Sequence, residues 1–259
     1  MVRHFTEQLQ RTISFSYPPR RIVSLVPSQT ELLFDLGLDE QIVGITKFCV
    51  HPLDKVKAKT KVGGTKNFNL DTIRLLQPDL IIGNKEENYH TGIEALEKEF
   101  PVWMSDIVTL QDALGMIQSV GKLTEKSLEA DLLVERIRNS FSSIERRATC
   151  SVLYLIWKSP WMAAGKHTFI DSMLSAVGLK NVVEETRYPE LLDAKIQALN
   201  PEVVFLSSEP YPFKERHVTE LKNLLPNSTI QLVDGEMFSW YGSRLIKAAD
   251  YFNGLRFIS

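Results

Sequence analysis

The chain has 259 residues, 44% of them hydrophobic and 24% charged, with a formal net charge of −2. That is an ordinary globular composition, long enough for one large domain or two lobes. The near-neutral balance gives no electrostatic reason for nucleic acid or an anionic membrane as partner, and no stretch approaches the ~20 apolar residues of a membrane-spanning helix.

The first twenty residues lack the basic start, apolar run and small-residue cleavage site of a signal peptide, so the chain as written is expected in the cytoplasm. Cys49 and Cys150 are far apart and carry no metal-type spacing, which fits a reducing compartment. "RIVSLV" (21–26) is a continuous apolar run and predicts a buried strand. "PSQTELLFDLGL" follows as a helix with Ser28 at its N-cap, Glu31 three residues on, and Gly37 at its end. "QIVGIT" (41–46) is the next strand. Alternating lysines at 55, 57, 59 and 61 indicate a solvated face or a protected strand edge rather than a binding patch. "NLDTIRLL" is a helix opened by Asn69 and followed by Pro78. "DLIIGN" is a third strand, "GIEALEKEF" a helix and "VWMSD" a fourth strand.

Residues 122–159 contain neither glycine nor proline, and Leu128, Leu132, Ile137, Phe141 and Ile144 recur within them at three-to-five-residue spacing. The pattern predicts one amphipathic helix from about Thr124 to Arg147, roughly 36 Å long at ~1.5 Å per residue. Beyond it the strand–helix alternation resumes. "SVLYLIW" is a strand, and Thr168 with Asp171 opens the helix "FIDSMLSAVGL", closed by Gly178. "DAKIQAL", "VTELKNLL" and "SRLIKAADYFNGL" are helices, and "EVVFLS" and "TIQLVD" are strands.

One phrase occurs twice. "IRLLQPDLIIGNKEE" from Ile73 aligns with "IQALNPEVVFLSSEP" from Ile196 at an offset of 123, placing Pro78 on Pro201, Asp79 on Glu202 and Glu86 on Glu209. Strands alternating with helices imply parallel sheets covered on both faces. The doubling makes two of them: an α/β chain of two Rossmann-like lobes with parallel sheets (1–123 and 148–259), joined by one long rigid α-helix (124–147).

Ligands of open α/β sheets sit outside the carboxyl ends of the strands. Those ends carry Phe48, Tyr89, Trp157, Trp161, Tyr211, Phe213, Phe238, Trp240 and Tyr241, and so point to a large, flat, partly apolar ligand. Trp157 is expected in the core and Trp161 against ligand. Glu86 and Glu209 are either polar anchors or caps of their own loops, and Arg244 pairs either with the ligand or with a neighbouring carboxylate. Ser28 caps its helix, or its amides meet an acceptor group. The five histidines show no metal-type pair spacing, and a single axial ligand would fall to His51. No phosphate-binding loop or nucleophile elbow is present.

"RIVSLVPSQTELLFDLGL", "VGGTKNFNLDTIRLLQPDLII" and the expected long helix together resemble the helical-backbone substrate-binding proteins of ABC importers. The nearest resemblance is to the vitamin B12-binding branch, which includes relatives for ferric siderophores and haem. It covers the chain from about Arg21 onward. It implies a non-enzymatic, monomeric protein without an intrinsic cofactor, holding a corrinoid (cobalamin), haem or ferric siderophore in the cleft between its lobes. Loops at Pro27, His51, Thr65, Lys66, Asn67, Phe68 and from Trp240 to Arg244 would contact the ligand. The chain departs at His51 and Thr65, where the B12 relatives place aromatic rings. The resemblance also implies a secreted or lipid-anchored protein that meets an ABC permease through one acidic residue per lobe. Asp71 matches the first of these, and the 123-residue offset puts Ala194 at the second. A cytosolic tetrapyrrole or metal carrier without a permease, and a hydrolase on the same scaffold, are the alternatives.

Overall fold

The computed structural model describes residues 1–145 and 150–255. The chain divides into two compact units. The first holds Met1–Ile107, Gln111–Arg138 and Tyr241–Arg244; the second holds Val108–Leu110, Asn139–Trp240 and the segment from Leu245.

The first unit opens with an antiparallel hairpin of β1 (Val2–Thr6) and β2 (Thr12–Ser16). Then come β3 (Ile22–Ser24), α1 (Pro27–Asp35), β4 (Ile42–Ile45), α2 (Leu53–Val56) and β5 (Thr60–Lys61). A small hairpin, β6 (Gly63–Gly64) with β7 (Asn67–Phe68), leads into α3 (Leu70–Leu76), β8 (Leu80–Asn84), α4 (His90–Glu97) and β9 (Val102–Ser105). Two helices, α5 (Leu110–Leu123) and α6 (Ser127–Ser142), complete this part of the chain. The main sheet has the order β5-β4-β3-β8-β9, with every pairing parallel. Its central strands are continuous apolar runs because both faces are covered; Ile22, Val23, Ile81 and Ile82 are fully buried. β5 is an edge strand, and the lysines around it are tied down locally: Lys55 to Asp39 at 2.7 Å, Lys59 to the Asp39 carbonyl and Lys61 to the Val56 carbonyl. They guard an edge.

Helix starts follow the chemistry of their first residues, with one correction. Asn69 accepts the Thr72 amide at 2.8 Å, and Thr168 accepts the Asp171 amide at 3.1 Å, both as expected. α1 instead begins at Pro27, whose fixed φ suits the first helical position, and its N-cap is Val26 without a side-chain cap. Ser28 is therefore inside the first turn and buried rather than capping.

The single helix expected over 124–147 is α6 alone. Glu125 takes a left-handed φ of 61° and separates α6 from α5, while residues 146 and 147 lie outside the described residues. The buried stripe of α6 is Ala130, Leu133, Val134 and Ile137, at true three-and-four spacing. Leu128 and Leu132 are 70% and 52% exposed. Gly121 makes this stripe possible, since a Cβ there would sit 2.4 Å from the Ala130 methyl.

The second unit contains β10 (Cys150–Trp157), β11 (Trp161–Ala163), α7 (Phe169–Ala176), β12 (Leu179–Asn181), β13 (Glu190–Leu191), α8 (Asp193–Leu199) and β14 (Val203–Ser207). It closes with α9 (Glu215–Leu224), β15 (Thr229–Val233), α10 (Glu236–Ser239) and α11 (Leu245–Gly254). Its sheet runs β13-β11-β10-β14-β15, with β12 also on β10. β10, β12, β14 and β15 are parallel, but β11 is antiparallel to both of its neighbours, so the sheet is mixed. Only Lys158, Ser159 and Pro160 separate β10 from β11; a parallel crossover needs a dozen residues or more, so a hairpin is forced.

The doubled phrase is a structural repeat. α3 with β8 and α8 with β14 match residue for residue at the 123-residue offset. Asp79 accepts the Arg21 amide at 2.9 Å and Glu202 accepts the Ser151 amide at 2.6 Å, each just ahead of the residue that starts the central strand pairing. The same carboxylate locks the same register twice.

Candidate functional site

Because all strands of the first sheet are parallel, their carboxyl ends share one edge. Two buried asparagines tie the loops there together. Asn84 ends β8; its Oδ1 accepts the amides of Glu86 and Glu87 at 2.8 and 3.1 Å, and its Nδ2 donates to the Ser105 hydroxyl at 3.0 Å. Asn88 accepts the Asn84 amide at 2.8 Å and donates to the Leu25 and Thr65 carbonyls at 3.2 and 3.1 Å. The loops after β3 and β8 and the β6–β7 hairpin are thereby held as one rim. Lys66 at the hairpin tip donates to the Glu86 carbonyl.

Phe48, just past β4, is 52% exposed on this rim. Lys47 Nζ lies 5.1 Å from its ring centroid, and Gly64 backs it closely enough that a Cβ would meet the ring at 3.2 Å. Thr65, Lys66, Asn67 and Glu86 therefore come together at the hairpin, which Gly64 sets against Phe48; half-buried Pro27 and His51 follow β3 and β4 at the same ends of the sheet. Phe68 does not join them. It is 4% exposed and packs on Tyr89 at 4.5 Å within the core, because its strand turns it beneath the hairpin.

The segment Tyr241–Arg244 packs into this unit as an internal strap. Arg244 makes two bonds to Glu31, Nε to Oε2 at 2.8 Å and an Nη to Oε1 at 2.7 Å, with both side chains 6% exposed. Of the two expected partners, its guanidinium thus meets a neighbouring carboxylate. The Tyr241 hydroxyl donates to Glu87, and burial, then that carboxylate, push the phenol well above its ordinary range. At Gly242 a Cβ would lie 2.7 Å from the Ser28 carbonyl oxygen, so α1 and the strap fit only around glycine. Ser28 and Tyr241 accordingly support the rim from inside.

In the second unit the carboxyl ends of β10, β14 and β15 carry the remaining candidates. The expected exposures of two tryptophans are reversed. Trp161 is 8% exposed: its ring stacks on Phe213 at 6.2 Å, its Nε1 donates to Asp193 at 3.0 Å, and Lys158 covers it at 4.0 Å. Pairing of β11 on both sides places it in the core. Trp157, where the β10–β11 register shifts, is 40% exposed. Tyr211 meets it edge-on at 5.5 Å. Glu209 accepts the Ser239 hydroxyl at 2.6 Å and the Trp240 Nε1 at 3.0 Å, and burial raises its pKa. Gly235 lets this loop approach, since a Cβ would stand 2.3 Å from the Ser207 hydroxyl. Trp240 is 7% exposed and Phe238 fully buried, the latter against Tyr154, Phe205 and Phe252 at 5.1, 5.8 and 4.8 Å. Phe238 is core, because α10 turns it inward onto α11 and the sheet.

The exposure of Phe48 and Trp157 was the feature of these rims least legible in the sequence. A lone aromatic beside a lysine after a buried strand, and an aromatic at the last position of a strand, were their signals. Asp71 is exposed on α3 and bonded to Arg74 at 2.8 Å. At the repeat-related position, Ala194 is flanked by Asp193, held by Trp161, and by Lys195, paired with Glu185 at 3.0 Å. Among the described residues no cluster of three or more His, Cys, Asp or Glu is placed to hold a metal ion, and no helix is long and apolar enough to cross a membrane. An open groove of about 440 Å³ lined by Thr12–Ser14 and Glu97–Val102 lies at the amino end of β9, the opposite edge of the sheet from the rim.

The chain is 26% identical over 255 residues to an uncharacterized ABC transporter substrate-binding lipoprotein, YvrC, of Bacillus subtilis, covering 92% of this chain and 80% of that one. It is 23% identical over 197 residues to a vitamin B12-binding protein of Vibrio campbellii, covering 73% and 71%. Its fold is similar to the periplasmic haem-binding protein RhuT of Roseiflexus, with a TM-score of 0.79 at 20% identity over 90% of this chain and 96% of that one. A family model described as periplasmic binding protein matches residues 22–231, and the chain belongs to that family.

Proposed function

We propose that the chain is a non-enzymatic substrate-binding protein of an ABC importer whose cargo is a corrinoid, haem or ferric siderophore. Relatives bearing the names of B12-binding and lipoprotein components support this, as do structural neighbours named for haem and iron. The observation that carries it is the exposure of Phe48 and Trp157, one ring on the carboxyl rim of each unit. A solvent-facing ring at the carboxyl end of a strand offers a flat apolar face on which a planar ligand can stack. Lys47 lies against the first ring, with Lys66 and Glu86 bonded to each other on the same rim, and Tyr211 meets the second, so polar groups are at hand to orient a chelate. His51 is the residue of the first rim able to ligate a macrocycle axially. A permease partner reading exposed Asp71, and delivery outside the membrane as in the lipoprotein relative, belong to the same proposal.

A spectroscopic and thermal-shift screen with cyanocobalamin, haemin and a ferric hydroxamate tests it. One of them should shift its visible spectrum and raise the melting temperature by several degrees. Turnover of ester substrates with no shift for any of the three would replace the binding reading with an enzymatic one.

A further inference from the structure

His217 lies at the start of α9 and is 2% exposed. Its Nδ1 accepts the Lys214 backbone amide at 2.9 Å, closing the first turn of the helix. Arg216 Nε donates to its Nε2 at 3.1 Å, and the Tyr211 hydroxyl lies 3.4 Å from the same nitrogen. The ring also packs edge-on against Tyr211 and Phe213 at 5.5 and 5.3 Å. A neutral imidazole offers one lone pair and one N–H. Two donors, the Lys214 amide and Arg216 Nε, face its two nitrogens, so the ring sits here as an acceptor packed against Tyr211.

An imidazolium accepts from neither donor. Its Nδ1–H would face the Lys214 N–H, its Nε2–H would face the Arg216 Nε–H, and its positive charge would stand beside the Arg216 guanidinium. The charged groups around the ring are Arg216 and Glu220 on α9 and Lys158 from the β10–β11 turn, and Glu220 is already bonded to Lys158. Burial, then Arg216 and Lys158, hold His217 below its ordinary range, against a smaller opposing pull from Glu220.

From this geometry we infer that His217 is the positioning residue for the Trp157–Tyr211 step of the rim, and that its protonation releases Tyr211 and weakens cargo binding in acid. The inference deepens the proposed binding function and rests on it for the cargo. The ring cannot accept a proton without giving up the Lys214 bond, and the residues that follow from that bond back to Tyr211 are only three. Trp157 loses its edge-on neighbour when Tyr211 moves.

The test follows the Trp157 indole N–H and the His217 ring nitrogens by NMR between pH 8 and 4.5, without ligand, in the wild-type chain and in His217→Gln. The two wild-type signals should move together through one transition below pH 6.5, and the Trp157 transition should vanish in His217→Gln, with circular dichroism checking that this variant is folded. Tyr211→Phe, which keeps the ring and removes the hydroxyl, should reduce the amplitude at Trp157 without shifting the His217 midpoint upward. A Trp157 signal that ignores the His217 transition, or that still shifts in His217→Gln, overturns the inference. In parallel, cyanocobalamin affinity should fall at least tenfold from pH 7.5 to 5 in wild type and under twofold in His217→Gln. Coupled NMR transitions with no binding of any cargo would retain the switch and refute the proposed function instead.

Discussion

Gln77 and Asn200 hold the same left-handed backbone conformation 123 positions apart, with φ and ψ of 45° and 58° at the first and 41° and 56° at the second. Each ends a seven-residue helix and precedes the proline that starts the approach to a central strand. The left-handed region costs an ordinary side chain about 1 kcal/mol or more, and asparagine less, because its amide bonds locally.

Gln77→Gly is therefore expected to stabilise the protein by about 0.5–1 kcal/mol in urea unfolding, where relief of strain exceeds the added entropy of the unfolded chain. Asn200→Gly should stay within a few tenths of zero. Equal effects at the two sites would mean that the helix ends are not strained in the way their angles indicate.

The same pair shows what a sequence of this kind reveals. The repeat, the strands flanking it and the caps at Asn69 and Thr168 were legible because each depends on local chemistry: an apolar run, a side-chain oxygen before a helix, a proline after one. The cap of α1 was misplaced by two residues because a proline suited to the first helical position sits beside a serine suited to the cap. The rim aromatics were legible as a group but not singly. Whether Trp157 or Trp161 faces solvent depends on a three-residue hairpin that recruits a second strand to cover Trp161. Phe238 and Phe68 sit in segments as aromatic as any ligand loop, and only the partners packed on them show that they are core. Arg244 lies 213 residues from Glu31, a pairing no local pattern carries.

That buried pair gives a second prediction. Removing one partner leaves an unpaired charge, so Arg244→Met alone should cost about 3–5 kcal/mol. Combining it with Glu31→Leu should recover most of the loss, because an apolar pair replaces a desolvated ionic one. Denaturant titration of the two variants measures both. A double variant as unstable as the single one would show that the strap depends on the charges themselves.

Glu209 supplies a pH dependence. Its pKa is raised above the ordinary 4.5, mainly by burial, so the folded state holds its proton more tightly than the unfolded state does. Ionising it at neutral pH therefore opposes folding, and this penalty fades as pH falls through the raised value toward 4.5. Glu209→Gln keeps an acceptor for Ser239 and Trp240 and removes the charge. It should stabilise the protein at pH 7.5, by an amount that shrinks toward pH 4.5. A destabilised variant at pH 7.5 would place the balance with the two hydrogen bonds.

Core and rim aromatics should separate cleanly. Phe238→Ala empties a site closed by the rings of Tyr154, Phe205, Tyr251 and Phe252 and should cost about 3–5 kcal/mol, lowering the melting temperature by many degrees. Phe48→Ala and Trp157→Ala remove largely exposed rings and should stay within about 1 kcal/mol of wild type. Thermal and urea melts of the three variants decide it, and a large loss in Phe48→Ala would make that residue part of the scaffold.

Calorimetric titration of the wild-type chain, Phe48→Ala and Trp157→Ala with cyanocobalamin, haemin and a ferric hydroxamate puts the two rims to the question. Saturable one-to-one binding of one cargo, weakened tenfold or more in each folded variant, is the result this account predicts. Binding that neither substitution alters, or no binding of any of the three, would contradict it.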